Sequence, residues 1–369
     1  MIIAINAVVP LHRPAAAGHI TALAIQMAAA HPEHHFLLLG CDTGSDPLPS
    51  NCSIENSPQI SSPIRFIYWL NYQLPALLRK KKASLLISYN SCSLRMKLPQ
   101  LLITDDLQFL THPEFYQKNW LRFYKKYSPL FLQKAAAISA TSAFLQAQIT
   151  EQYGIAPAKI SVVHAWPGTL FKPAEDWKQQ EAVKQKITGG KEFFLYSGPV
   201  YTACNLVYLL KAFSFFKQRQ KSNMQLVLAS TLAAEPAFIK SLASYKYRTD
   251  VVLAAQISTA GLAEITAAAY AVVYPPLYDA AGISPLQAIY CHTPVIASNT
   301  GALPELCKDA AVYCYPDDHQ DIAAKMMLLF TNEDRRNRLI AHARVLATEN
   351  GPVSPGQQTL QLALSLLQA

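Results

Sequence analysis

Short apolar runs alternate with stretches whose apolar residues recur at helical spacing, and the alternation persists over most of the 369 residues. Ile2–Val9, His35–Gly40, Ser84–Ser88, Gln100–Thr104, Ala137–Ala140 and Ile160–His164 read as strands. Ile20–Ala30, Leu74–Lys82, Asn119–Ala136 and Ser142–Tyr153 read as helices between them. Pro129 falls inside the third of these and is expected to kink or divide it, because proline removes a helical hydrogen bond. Strands that are apolar throughout and separated by helices predict parallel sheets covered on both faces.

The pattern breaks over 172–192. Lys172-Pro173, a charged stretch around Glu175–Lys186 and Gly189-Gly190 suggest an interdomain connection holding a polar helix. A second alternating series follows. Its expected strands are Phe193–Ser197, Gln225–Ala229, Val251–Leu253, Ala271–Tyr274 and Pro294–Ser298, with helices over Leu206–Gln218, Ala260–Ala268 and from Gln320. A last helix, Pro355–Leu367, is set off by Gly351-Pro352. The expected architecture is α/β, two doubly wound domains facing a cleft. Residues 1–171 are expected to form the first domain, 172–192 the connection and 193–352 the second.

Composition narrows the class. Hydrophobic residues make up 51% and charged residues 15%, enough to bury two cores. A membrane span needs roughly 20 consecutive apolar residues, and the sequence contains none. The apolar start, Met1 to Pro10, has no basic flank or cleavage site and reads as a buried strand; a cytoplasmic protein is expected. Seven cysteines without Cys-x-x-Cys spacing fit a reducing compartment. His31, His34 and His35 flank Pro32 and Glu33, and this group reads as a helix-ending surface loop rather than a metal site. Asp105-Asp106 and Asp317-Asp318 read as loop or cap residues, no Asp-x-Asp motif is present, and no metal or cofactor is expected.

The net charge of +8 is uneven: residues 1–165 hold 14 Lys+Arg against 8 Asp+Glu, and residues 166–369 hold 18 against 16. Arg79-Lys80-Lys81-Lys82 is the densest run. It suits peripheral contact with an anionic membrane face, and equally a solvated helix end whose cations are favoured by the dipole. Nucleic acid is not an expected partner, because no recognition module accompanies the charge.

Residues 278–306 carry the chemistry. A loop, a helix, a strand and a second loop-to-helix turn follow one another there. The segment includes Tyr278, Gly282, Pro285-Leu286, Ala288, Cys291, Thr293-Pro294-Val295, Ala297-Ser298 and Gly301-Ala302-Leu303-Pro304-Glu305. Ser284 is placed as the N-cap and Pro285 as the first helical residue. A helix N-terminus favours a bound anion through its free backbone N–H groups and dipole. Asp279 can accept from hydroxyl groups, and Gln287, expected in the first turn, can donate and accept as a neutral group.

This segment resembles the donor-site signature of the retaining GT-B glycosyltransferases of family 4 (group 1), and the resemblance spans nearly the whole chain. Trp69, Gln73, Leu74-Pro75, Leu78-Arg79, His112-Pro113-Glu114, Ser142-Ala143-Phe144 and Tyr153-Gly154-Ile155 are similar to its N-terminal domain. Phe194–Gly198, Asn205-Leu206, Asp309-Ala310-Ala311 and Pro316-Asp317-Asp318 continue it through the second domain. The resemblance implies that residues 353–369, with the final helix, return to the first domain. It also implies a nucleotide-sugar donor, a glycan or lipid-linked acceptor, and donor contacts at Gly18, Gly198, Pro199, Cys204, Ala280, Ala281, Gly282, Ile283, Ser284 and Gln287. Asp105 and Asp279 occupy its catalytic positions.

Several of those positions differ from the family pattern. Asp105 stands for the family's turn histidine, and Asp279 and Gln287 for its two glutamates. Pro199 and Cys204 stand where it has Arg and Lys facing the diphosphate, Ala280-Ala281-Gly282 replaces Gly-Phe-Gly, and the glycine-rich turn after the first strand is reduced to Gly18. His12, Arg13, His19 or Lys211 are candidates to replace the lost cations. Two functions fit: a hexosyltransferase using a nucleoside-diphospho-mannose or -glucose, or a catalytically impaired paralogue that binds a glycan or serves as a partner subunit.

Overall fold

The computed structural model describes residues 1–10, 15–41, 48–349 and 354–368. His12, Arg13, Gly351, Pro352 and the expected boundary at 353 lie outside the described residues. The chain divides into two compact units, Met1–Ala165 with Pro352–Ala369, and Trp166–Gly351.

The first unit is built on seven strands: β1 (Ile2–Asn6), β2 (His35–Leu39), β3 (Cys52–Glu55), β4 (Leu85–Tyr89), β5 (Gln100–Thr104), β6 (Ala137–Ala140) and β7 (Ile160–Val162). All pair in parallel, in the order β3-β2-β1-β4-β5-β6-β7. β1 stops at Asn6, before the expected Val9. Asn6 is buried, donates to the Ser88 hydroxyl at 3.0 Å and accepts from the Val8 N–H at 3.4 Å, which turns the chain out of the sheet. β3 is a short edge strand whose polar sequence carries no strand pattern.

The first helix, Ala15–Ala30, starts earlier than its apolar periodicity because alanines 15–17 are strong helix formers. Gly18 therefore lies in the first turn of that helix rather than in a loop. The helical stretch before β4 is longer than expected. It begins at Pro63, capped by Ser62, passes through a π-helical turn at Trp69–Gln73 and ends at Lys80. Pro129 does not divide the Lys118–Lys134 helix, which runs through it with Trp120, Phe123, Phe131 and Leu132 buried on one face. The Pro355–Ser365 helix packs on the first helix, and Leu360 and Ala363 join the core around Leu23, Ala24 and Met27. The approach is close: a Cβ on Gly356 would stand 2.6 Å from Gln26 Cβ, and the Gly356 N–H donates to Gln26 Oε1 at 3.1 Å.

The second unit holds six parallel strands: β8 (Phe193–Ser197), β9 (Gln225–Ala229), β10 (Val251–Ala254), β11 (Ala271–Tyr274), β12 (Val295–Ser298) and β13 (Ala311–Cys314). Their order is β10-β9-β8-β11-β12-β13. Phe194, Tyr196, Leu209, Phe213, Phe216, Leu226 and Ile296 are among its core. The polar helix of residues 172–192 spans Trp177–Thr188 and belongs to this unit. Asp176 caps it, buried Lys184 pairs with Glu181 at 2.9 Å and Glu192 at 2.5 Å, and Gln180 donates to the Ala267 carbonyl at 3.2 Å. These bonds make it a packed element rather than a connection.

Candidate active site

In the second unit the strand order reverses between β8 and β11. Chains leaving the carboxyl ends of two such strands diverge and open a crevice, the usual ligand position in a doubly wound sheet. The segments leaving there are Gly198–Asn205, after β8, and 275–282, after β11.

The second segment is organised by Asp279. Its Oδ1 accepts from the N–H groups of Ala281 and Gly282, both at 2.8 Å, and its Oδ2 accepts from the Tyr274 hydroxyl at 2.9 Å. The Asp279 carbonyl accepts from the Ala302 N–H at 2.8 Å. A Cβ on Gly301 would lie 2.0 Å from that carbonyl oxygen, so only glycine allows the two backbones to meet. Ala280, Ala281 and Gly282 are buried.

The helix that follows is Ile283–Tyr290, with Gly282 as N-cap at φ +60°. This corrects the expected start. Ser284 is the second helical residue rather than the cap, Pro285 the third rather than the first, and Gln287 the fifth, in the second turn. The reason is local: the Asp279 carboxylate takes two amides in succession, and Gly282 adopts the left-handed conformation that turns the chain into the helix. A side chain at Gly282 would meet Leu306 Cδ1 at 2.5 Å. The N–H groups of Ile283 and Ser284 fall in the first turn, where a helix supplies no acceptor, and Pro285 has no N–H to leave open. An anion is favoured at this end by those amides and by the helix dipole.

The segment after β8 is equally constrained. Gly198 lies at φ +152°, and a Cβ there would stand 3.1 Å from the Tyr196 hydroxyl. Tyr196 donates to the Pro199 carbonyl at 3.0 Å. Thr202–Cys204 form one 3-10 turn, held by Glu235, whose Oε2 accepts from the Thr202 N–H and hydroxyl, each at 2.6 Å. Asn205 ends the turn at φ +59° and donates through Nδ2 to the carbonyls of Pro275 and Pro316, both at 2.7 Å. The Leu206–Gln220 helix starts directly after it. Burial pushes the Cys204 thiol up, only partly offset by its hydrogen bond with Tyr196, so Cys204 is a neutral group. Lys211 Nζ stands over the Tyr208 ring, 5.0 Å from its centroid.

Tyr196 and Tyr274 carry no motif signal and escape a reading by signature. The clue was their placement: each lies at or next to the carboxyl end of an otherwise apolar strand, Phe-Phe-Leu-Tyr-Ser and Ala-Val-Val-Tyr. Their rings stack at 5.8 Å, 22° apart.

In the first unit, Asp105 follows β5. Its Oδ1 accepts from Asn90 Nδ2 at 2.6 Å, its Oδ2 accepts from the Tyr89 hydroxyl, and its own N–H donates to Asn90 Oδ1 at 3.3 Å. Asp106 accepts from the Gln108 N–H as a turn cap. His31, Glu33 and His34 are the one group among the described residues with metal-ligand spacing. They sit just before β2, at the amino edge of the sheet, opposite the edge that carries Asp105. Glu33 accepts from His31 Nδ1 at 2.9 Å, and Asn51 Nδ2 clamps the carbonyls of Ala28, His31 and His34. Of the basic run, Arg79 and Lys80 fill the last helical turn, and Lys81 pairs with Glu55.

The family model for glycosyl transferases group 1 matches residues 178–345, and that for glycosyltransferase family 4 matches residues 16–166. O-antigen chain mannosyltransferase B of Escherichia coli is 25% identical over 243 residues, 66% of this chain and 63% of the relative, so the match spans less than two thirds of that protein. Among solved structures, a sucrose-phosphate synthase from Thermosynechococcus elongatus superposes with a TM-score of 0.80 at 17% identity, over 100% of this chain and 99% of its own. Anabaena HepE in complex with UDP-glucose superposes with a TM-score of 0.71 at 14% identity, over 100% and 99%. The two family models take in most of both units, and this chain belongs to the group 1 glycosyltransferase family, built on the GT-B fold.

Proposed function

We propose that the protein transfers a hexose, of mannose or glucose type, from a nucleoside-diphospho-sugar to a glycan or lipid-linked acceptor, with retention at the anomeric carbon. The observation that carries this reading is the Asp279–Gly282 loop with the Ile283–Tyr290 helix at the reversal point of the second sheet. Its first-turn amides and dipole suit a departing diphosphate. A mannosyltransferase among the relatives and a neighbour that binds UDP-glucose support the donor class. Retention follows from the resemblance of residues 278–306.

The donor contacts are assigned to Gly198, Pro199, Cys204, Ala280, Ala281, Gly282, Ile283, Ser284 and Gln287, with Asp279 as the carboxylate of that site. From the first unit, Gly18 and Asp105 are the candidates. Arg79, Lys80 and Lys82 are the cations assigned to peripheral membrane contact, since Lys81 is paired with Glu55.

Calorimetry against a panel of nucleoside diphosphates tests the reading, followed by a transfer assay with the preferred nucleotide-sugar and NMR of the new linkage. Micromolar to millimolar binding of one diphosphate and an axial-to-axial or equatorial-to-equatorial product are expected. No binding at millimolar concentration would count decisively against it.

A further inference from the structure

The altered cation positions raise the question of what holds the donor loops in place. The contacts of two tyrosines answer it. Tyr196 on β8 donates to the Pro199 carbonyl, so its hydroxyl holds the first segment where it leaves the strand. Tyr274, the last residue of β11, donates to Asp279 Oδ2, so it holds the carboxylate around which the second segment turns into Gly282. The rings stack on each other across the reversal point, between neighbouring strands. Asp279 passes the constraint on to the Ala281 and Gly282 amides.

We infer that Tyr196 and Tyr274 are positioning residues of the donor site. They lock the Gly198–Asn205 segment to the Asp279–Ser284 segment through their stacked rings, and set the first-turn amides of the Ile283–Tyr290 helix for a diphosphate. The inference rests on the nucleotide-sugar reading for its ligand but not for its mechanics. Burial pushes both phenols well above the ordinary tyrosine range, so they remain neutral donors at any working pH. The Tyr196 hydroxyl fixes the Pro199 carbonyl, and the Tyr274 hydroxyl fixes the carboxylate that gathers the Ala281 and Gly282 amides.

Tyr274→Phe and Tyr196→Phe keep the ring stack and delete one hydroxyl each. Losing a hydrogen bond that orients a buried carboxylate is expected to weaken binding of a bare nucleoside diphosphate by about tenfold. The corresponding nucleotide-sugar should weaken by the same factor, because the sugar is not what the hydroxyl serves. In turnover, donor KM rises by about tenfold while kcat stays within about threefold. The double variant should lose less than the product of the two single losses, as parts of one device do. A loss confined to the nucleotide-sugar, with diphosphate affinity intact, would overturn the inference and make Tyr274 a sugar contact.

Amide hydrogen exchange of the unliganded protein tests the mechanics separately. Exchange at Ala281 and Gly282 should accelerate by about tenfold in Tyr274→Phe. Unchanged protection overturns the inference whatever the ligand. If the wild-type protein binds no nucleoside diphosphate, the proposed function fails, while the exchange experiment still decides whether the tyrosines position the loop.

Discussion

On the proposed donor reading, the neutral thiol of Cys204 stands where a cation would strengthen diphosphate binding. A charge-assisted hydrogen bond contributes about 1.5–3 kcal/mol where a neutral one contributes about half that. Cys204→Lys is therefore expected to tighten nucleoside diphosphate binding by about tenfold at low salt. The gain should shrink as ionic strength rises, though by less than for an exposed pair, because position 204 is partly buried. Calorimetry at two salt concentrations checks both halves of the expectation. The neighbouring turn has its own pH signature. Bonds from Thr202 hold the Glu235 carboxyl below the usual carboxylate range. Its contribution to stability is present above the unfolded value of about 4.3 and is lost as pH falls through the lower folded value. The Thr202 amide resonance should accordingly titrate with a midpoint below that of a free glutamate; a midpoint at or above it would show that the bond is absent in solution. Some of this was legible in the sequence. Cys204, Pro199 and Asp279 stood out as departures from a pattern, but the pattern says only what they replace. That Asp279 turns its oxygens to Tyr274 and to two amides requires the folded loop, because all three partners are within five residues and no spacing rule encodes their direction.

The loop and helix of 279–290 show what decides the start of an element. Serine before proline is a strong sequence signal for a helix N-terminus, and it points two residues too late here. The competing signal is a glycine that takes the left-handed cap once the Asp279 carboxylate has gathered the amides of Ala281 and Gly282. The strands were more legible, because runs that are buried on both faces are apolar throughout and their ends are marked by turn residues. The polar β3 was not, since an edge strand has no burial to advertise. Two substitutions probe the loop as a unit. Gly301→Ala forces a Cβ against the Asp279 carbonyl at a backbone angle of +63° and has no flexible side chain to push aside. It should destabilise the second unit by about 2–4 kcal/mol, read as a fall in Tm, and a melting curve matching wild type would show that the contact relaxes freely. Asn205→Ala removes the single amide that satisfies two backbone carbonyls, at Pro275 and Pro316. A loss of about 2–3 kcal/mol is expected, and Asn205→Gly, which restores the backbone angle alone, should recover only the smaller part of it.

Seven cysteines spread over both units report on the whole molecule, and all are reduced. Burial pushes the thiols of Cys92, Cys291, Cys307 and Cys314 up to about 12, and that of Cys41 to about 11. Thiolate is the reactive form. At mildly alkaline pH the native protein should therefore label slowly, with the less buried Cys52 first, and should yield all seven thiols only on unfolding. Rapid labelling of four or more in native conditions would contradict this packing. No helix among the described residues is long and apolar enough to cross a membrane.

The return of the Pro355–Ser365 helix onto the first helix sets an order of events during synthesis. The first unit emerges first from the ribosome, yet one of its packing surfaces waits for a segment made nearly two hundred residues later. Trp166–Gly351 is contiguous and can complete its core as soon as it is made. The amino-terminal half is thus the last to finish. Until it does, the side of the first helix at Gln26 and the Leu23 carbonyl, against which Gly356 packs, stays open.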